Sequence, residues 1–185
     1  MSREDKETWD RKHTRSMPAP VIEPPPPPPL FAHVEQEFPR SGTALETACG
    51  RGEGAVWLAH RGLDYRGVDV SPVAIDMARR FVDAYRLGDR CRLVIWDLDD
   101  GLPPGDPVDL LFCHMFREPA LYEEMIDRVA PGGMIAVAVL SEVGGQTGEH
   151  RAERGELVAA FGHLEVLDES EGDGVASILV RKGNS

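Results

Sequence analysis

Cysteine is scarce in this chain: Cys49, Cys91 and Cys113 are the only three in 185 residues, and no two form a C-x-x-C pair. An odd, scattered set excludes a disulfide framework and a paired-thiolate zinc site, so the thiols are expected to be free and no metal centre is expected. Long apolar runs are missing as well. The longest, Met134 to Leu140, is far short of the roughly 20 residues that cross a bilayer. The start, MSREDKETWDRKH, has no apolar leader, which sets a cytoplasmic address as the expectation. Positive charge is in deficit, with 20 Lys and Arg against 32 Asp and Glu and a net charge of −12. Such a balance argues against nucleic acid as a partner, because phosphate binding needs a basic surface. Finally, 185 residues hold one domain with a full core but not two sizeable ones.

What is there centres on Thr43 to Asp69. A short apolar run, Ala44-Leu45, enters Glu46 and then a glycine-rich turn, Gly50-Arg51-Gly52-Glu53-Gly54. Ala55 to His60 has the composition of an amphipathic helix, and Tyr65 to Val70 reads as a strand with Asp69 near its end. Strand, glycine turn, helix and strand with a terminal acid is the plan of a nucleoside-binding βαβ unit. The glycines permit a tight turn and a close ligand approach, and the acid can accept from ribose hydroxyls. Gly50-x-Gly52-x-x-Ala55 also fits the dinucleotide fingerprint, so a nicotinamide cofactor stays open on glycine spacing alone. Glu46 weighs the other way: an acid ahead of the turn would meet a cationic amino group and repel a pyrophosphate.

Glu46-Thr47-Ala48-Cys49-Gly50-Arg51-Gly52 resembles motif I (acid-x-Gly-x-Gly-x-Gly) of the class I S-adenosylmethionine-dependent methyltransferases, with Ala48 in place of a glycine. Asp69-Val70-Ser71-Pro72-x-Ala74-Ile75 resembles the family's second motif. The resemblance runs from about residue 40 to the end of the chain and implies a Rossmann-like, doubly wound α/β fold. Its sheet would be seven-stranded and mainly parallel, with an antiparallel C-terminal hairpin. It implies S-adenosylmethionine as cofactor and S-adenosylhomocysteine as product. Carried over residue by residue, cofactor contacts fall on Glu46, Ala48, Cys49, Gly50, Gly52, Asp69, Val70, Asp97, Leu98 and Cys113. Within that set Glu46 takes the amino group, Asp69 the ribose and Asp97 the adenine amino group, with Leu98 against the ring. Asp69→Ala is then expected to weaken the cofactor and spare the fold.

Along the chain, Leu30 to Phe38 has helical spacing, and Ser71-Pro72 reads as a cap and first turn. The helix Val73 to Leu87 sets Ile75, Met77, Ala78, Phe81, Val82 and Tyr85 on a core face. Strands are expected at Arg92 to Trp96, Val108 to Cys113, Met134 to Leu140, Leu164 to Glu169 and Val175 to Arg181. Pro119 to Ala130 and Arg151 to Phe161 read as helices. Pro131-Gly132-Gly133 reads as a sharp turn, Ser141 to His150 as a mobile loop, and Gly172-Asp173-Gly174 as a hairpin turn that forces the last two strands antiparallel.

His114 follows the apolar strand at the sheet edge where ligands sit, which makes it the candidate catalytic base. No Asn/Asp-Pro-Pro-aromatic motif follows that strand; Cys113-His114-Met115-Phe116 stands there instead. The resemblance therefore points to a small-molecule acceptor, in the manner of small bacterial tellurite-resistance and thiol-methylating enzymes. Residues 30–185 are assigned to the methyltransferase domain. Residues 1–29 are a flexible, proline-rich tail and candidate lid, with Pro24 to Pro29 as a polyproline rod and Trp9 lacking local apolar partners. Deleting residues 1–20 should slow acceptor turnover and leave Tm nearly unchanged; undiminished turnover would make the tail a tether.

Overall fold

The computed structural model describes residues 25–184. Trp9 and most of the expected tail, and with them the lid, lie outside those residues. Of the expected rod, Pro28 has extended backbone at φ −52° and ψ 137°, but Pro29 already opens a 3-10 helix, Pro29–Glu37. Proline suits that position because its fixed φ is helical and its missing N–H would have had no partner. The chain then divides into two compact units, the first ending at Pro103 and the second beginning at Pro104.

In the first unit, β1 (Thr43–Thr47), α1 (Glu53–His60), β2 (Asp64–Asp69), α2 (Pro72–Ala84) and β3 (Cys91–Ile95) form two successive βαβ crossovers. β1 pairs in parallel with β2, and β2 in parallel with β3. Ser71 caps α2 as expected, its Oγ accepting from the Ala74 N–H at 3.1 Å. Of the six residues assigned to the core face of α2, Ile75, Ala78 and Val82 are buried, joined by Ala74. Met77, Phe81 and Tyr85 are only half-buried, with Phe81 and Tyr85 meeting edge-on at 5.2 Å. The 3-10 helix is fastened to α1 by its aromatic residues: Phe38 packs edge-on against both Phe31 (5.6 Å) and Trp57 (5.1 Å). Arg61 completes the fastening. It donates to the Glu35 carboxylate at 2.7 Å and to the carbonyls of Glu35 and Phe38 at 2.9 and 3.0 Å.

The second unit contains β4 (Val108–His114), α3 (Tyr122–Arg128), β5 (Val129–Leu140), α4 (Glu156–Phe161), β6 (Glu165–Gly172) and β7 (Val175–Arg181). β4 and β5 are parallel, whereas β7 is antiparallel to both β5 and β6. Asp173 and Gly174, at φ 51° and 80°, make the two-residue turn of this hairpin, the geometry that matches the right-handed twist of paired strands. The strands run in the order β3-β2-β1-β4-β5-β7-β6, a seven-stranded mixed sheet of the expected class.

Three local expectations change. Pro131-Gly132-Gly133 lies inside β5 as an irregularity, the register passing from Val108↔Val129 to Leu110↔Met134. The edges of this stretch are still paired, through Gly132 N–H to the Lys182 carbonyl and Lys182 N–H to the Gly133 carbonyl. The expected helix from Arg151 starts only at Glu156, because Ala152 pairs with Leu140 and Glu142 and Gly155 adopts a left-handed φ of 75°. The loop expected to be mobile is tied to the hairpin: Ser141 Oγ donates to Glu171 at 2.9 Å, and the Gly174 N–H to the Val143 carbonyl at 2.8 Å. Its backbone groups found partners in the turn, which glycine content alone does not reveal.

Candidate active site

β1 delivers Glu46 beneath the glycine turn, where it is 4% exposed. Its carboxyl lies against the first turn of α1, where a Cβ on Gly54 would collide with both carboxyl oxygens as they stand. Among the described residues, the one hydroxyl that reaches it is that of Tyr65, which donates to Oε2 at 2.5 Å. Burial pushes the Glu46 carboxyl up to about 8, with Asp69 and Glu53 adding to the rise and the Tyr65 hydrogen bond opposing it. Near neutral pH this group is therefore largely protonated in the ligand-free protein.

The turn itself is built on left-handed backbone. Ala48, Gly50 and Gly52 have φ of 50°, 52° and 83°. Ala48, standing where the family pattern has glycine, thus holds a conformation that costs a residue with a Cβ roughly 1–2 kcal/mol. Gly52 is demanded by space too, since a Cβ there would lie 2.9 Å from that of Ala78 on α2. Cys49 is buried below the turn, and burial followed by the charges of Glu46 and Asp69 raises its thiol far above the ordinary range. It is a packing residue and not a thiolate.

Asp69 closes the turn onto β2. Its Oδ2 accepts from the Gly50 N–H and its Oδ1 from the Ser71 N–H, each at 2.9 Å. Beside the expected ligand role, its two backbone bonds also hold the turn. A carboxylate oxygen can accept more than one hydrogen bond, so the clamp does not forbid a ribose contact. Val70 is buried beside it at 8% exposure.

At the end of β3, Trp96 N–H donates to the Asp69 carbonyl at 3.0 Å, joining the third strand to the same corner. Asp97 caps a short 3-10 turn, accepting from the Asp99 N–H at 3.1 Å. Leu98 is buried at 2% exposure and turned into the unit, while Ile95 remains half exposed.

Cys113 and His114 belong to the second unit. Cys113 is 1% exposed and its thiol donates to the Phe116 carbonyl at 3.1 Å. His114 ends β4, partly buried, its ring parallel to that of Phe112 with centroids 6.1 Å apart. Met115 follows in left-handed backbone, φ 61°, and is 42% exposed. A further network, not signalled by any motif, fixes this segment. Arg117 grips Glu156 through two bonds of 2.9 and 2.7 Å, and Tyr122 Oη donates to the same carboxylate at 2.9 Å. Burial would raise Glu156, but the bonds from Arg117, Tyr122 and the Glu153 N–H outweigh it and hold the carboxyl below its usual range.

Residues 44–133 match the family model described as a methyltransferase domain. Over that stretch the chain is similar to methyltransferase domains. Solved structures share the fold. TehB from Haemophilus influenzae superposes with a TM-score of 0.72 at 15% identity, over 96% of this chain and 66% of TehB. The N-methyltransferase NodS from Bradyrhizobium japonicum WM9, in complex with S-adenosylhomocysteine, gives 0.70 at 16% identity over 96% and 97% of the two chains. A structure titled for the conversion of a disulfide bond into a thioacetal group during echinomycin biosynthesis gives 0.68 at 20% identity over 97% and 94%. No curated protein matches the sequence. Among the described residues no helix is long and apolar enough to cross a membrane.

Asp69→Ala should lower the unfolding free energy by about 2–3 kcal/mol, since two backbone amides lose their acceptor. A urea midpoint equal to that of the parent protein would contradict the clamp.

Proposed function

We propose that this chain transfers the methyl group of S-adenosylmethionine to a small-molecule acceptor. The observation that carries the reading is the acid set at the glycine turn. The charges that act on buried Glu46, from Asp69 and Glu53, are both negative. A ligand that brings an ammonium group relieves that set, whereas a pyrophosphate would add to it. When bound, the cofactor supplies a sulfonium-activated methyl carbon and a neutral thioether as leaving group.

The roles proposed for the protein's own residues are those that the motif resemblance implies. Glu46 meets the amino group, and the backbone of Ala48, Cys49, Gly50 and Gly52 borders the amino-acid portion of the ligand. Asp69 takes the ribose hydroxyls. Asp97 accepts from the adenine amino group, and Val70, Leu98 and Cys113 contribute the apolar surroundings. His114, at the carboxyl end of β4, takes the proton of an oxygen or thiol acceptor as neutral imidazole. The Arg117–Glu156–Tyr122 network fixes the segment after His114 and spends its only cation on Glu156. A small acceptor suits the net charge of −12 better than a nucleic acid.

Calorimetric titration should give micromolar affinity for S-adenosylmethionine and S-adenosylhomocysteine and no comparable affinity for NAD. Preferential binding of NAD would overturn the reading.

A further inference from the structure

Tyr65 belongs to none of the family motifs, yet its hydroxyl is buried against the Glu46 carboxyl beneath the glycine turn. The ring stands on β2 and is 2% exposed. Its Oη reaches Glu46 on the neighbouring strand at 2.5 Å. Gly67, the register partner of Glu46, keeps the path open. A Cβ there would lie 2.5 Å from Oη, 2.8 Å from Cε1 of the same ring and 2.9 Å from Cys49 Sγ. Gly54 leaves the matching space on the other side of the carboxyl. Two glycines in regular elements, each costing about 0.5–1 kcal/mol relative to alanine, thus frame one phenol–carboxyl pair.

We propose that Tyr65 is a positioning residue for the cofactor: its hydroxyl fixes the Glu46 carboxyl beneath the glycine turn in the place where it meets the ligand's amino group. This rests on the assignment of Glu46 as the cofactor's acid. The groups that act on Glu46 are Tyr65 on β2, Asp69 at the end of β2 and Glu53 on α1, with Cys49 in the turn. Of these only Tyr65 favours the ionised carboxyl; burial and the two acids oppose it. Tyr65 itself stays a phenol, since burial and the Glu46 charge push its own proton loss far upward. The ligand's ammonium stabilises the carboxylate, so binding draws a proton off Glu46 at pH values below about 8. Affinity therefore rises with pH up to that point and levels there. Without the Tyr65 hydroxyl the levelling point moves to higher pH.

The experiment measures the affinity of S-adenosylhomocysteine from pH 6 to 9 by calorimetry for the parent protein, Tyr65→Phe and Glu46→Gln. Glu46→Gln supplies the baseline for titration of the ligand's own amine. Tyr65→Phe keeps the ring and should bind about tenfold more weakly at pH 7.5, the loss expected for one hydrogen bond to a charged group. Its affinity should also level at a pH above that of the parent. Equal affinity and an equal profile in Tyr65→Phe would overturn the proposal. Absence of binding by the parent protein would overturn the cofactor assignment instead. In parallel, carbon-13 NMR of the parent protein follows the Glu46 carboxyl with and without saturating S-adenosylhomocysteine. Its titration should move downward on binding; an unmoved titration overturns the proposal whether or not Tyr65→Phe folds.

Discussion

Burying a carboxyl under a backbone turn is the constraint from which the rest of the first unit follows. Glu46 sits at 4% exposure with two other acids acting on it, an arrangement that weighs against folding unless something else is gained. The sign is definite. The unfolded chain loses this proton near the ordinary value of 4.5, the folded chain near 8. Stability contributed by this group is therefore full at low pH and is lost progressively from about 4.5 to about 8. A protein that retains such a cost at neutral pH, together with the left-handed Ala48, holds strain at one place, which is what a site prepared for a cationic ligand requires. The surrounding sequence follows the same logic. Gly54 and Gly67 remove side chains on either side, Tyr65 supplies the single hydroxyl, and Asp69 pins the turn above.

The second unit meets a different demand with a different device. A segment in which Met115 holds left-handed backbone needs outside support. That support comes from the Cys113 thiol on the Phe116 carbonyl and from the bidentate grip of Arg117 on Glu156. Because α4 carries Glu156, and Gly155 at its cap donates to Glu171 on β6 at 3.0 Å, the end of β4 is tied through one short helix to the hairpin. The same hairpin holds the loop from Ser141. Glycines gave that loop the freedom to fold back onto the hairpin turn.

Much of this was legible in the residues, for identifiable reasons. β7 matched its expected span, Val175 to Arg181, because the turn before it left the chain one way to return. α2 began where Ser71-Pro72 announced it. Glu46, Asp69 and the turn glycines could be singled out in the sequence because motif spacing is local. Tyr65 and Gly67 were not, since their importance exists only across the β1–β2 register. The signal available was Gly67 itself, a glycine inside a strand, which marks a close approach of another group. Pro131-Gly132-Gly133 misled because its turn chemistry is genuine but is absorbed into β5 by pairing with Lys182. Arg117 and Glu156 lie 39 positions apart, and no pattern in a single sequence couples them.

The central claim is that the acid beneath the glycine turn recognises a cationic amino group on a nucleoside ligand. Its most direct test compares S-adenosylhomocysteine with 5′-methylthioadenosine, the same nucleoside thioether without the amino-acid arm, against the parent protein and Glu46→Gln. The account predicts a preference of about tenfold or more for S-adenosylhomocysteine in the parent, largely lost in Glu46→Gln. An undiminished preference in Glu46→Gln would contradict it.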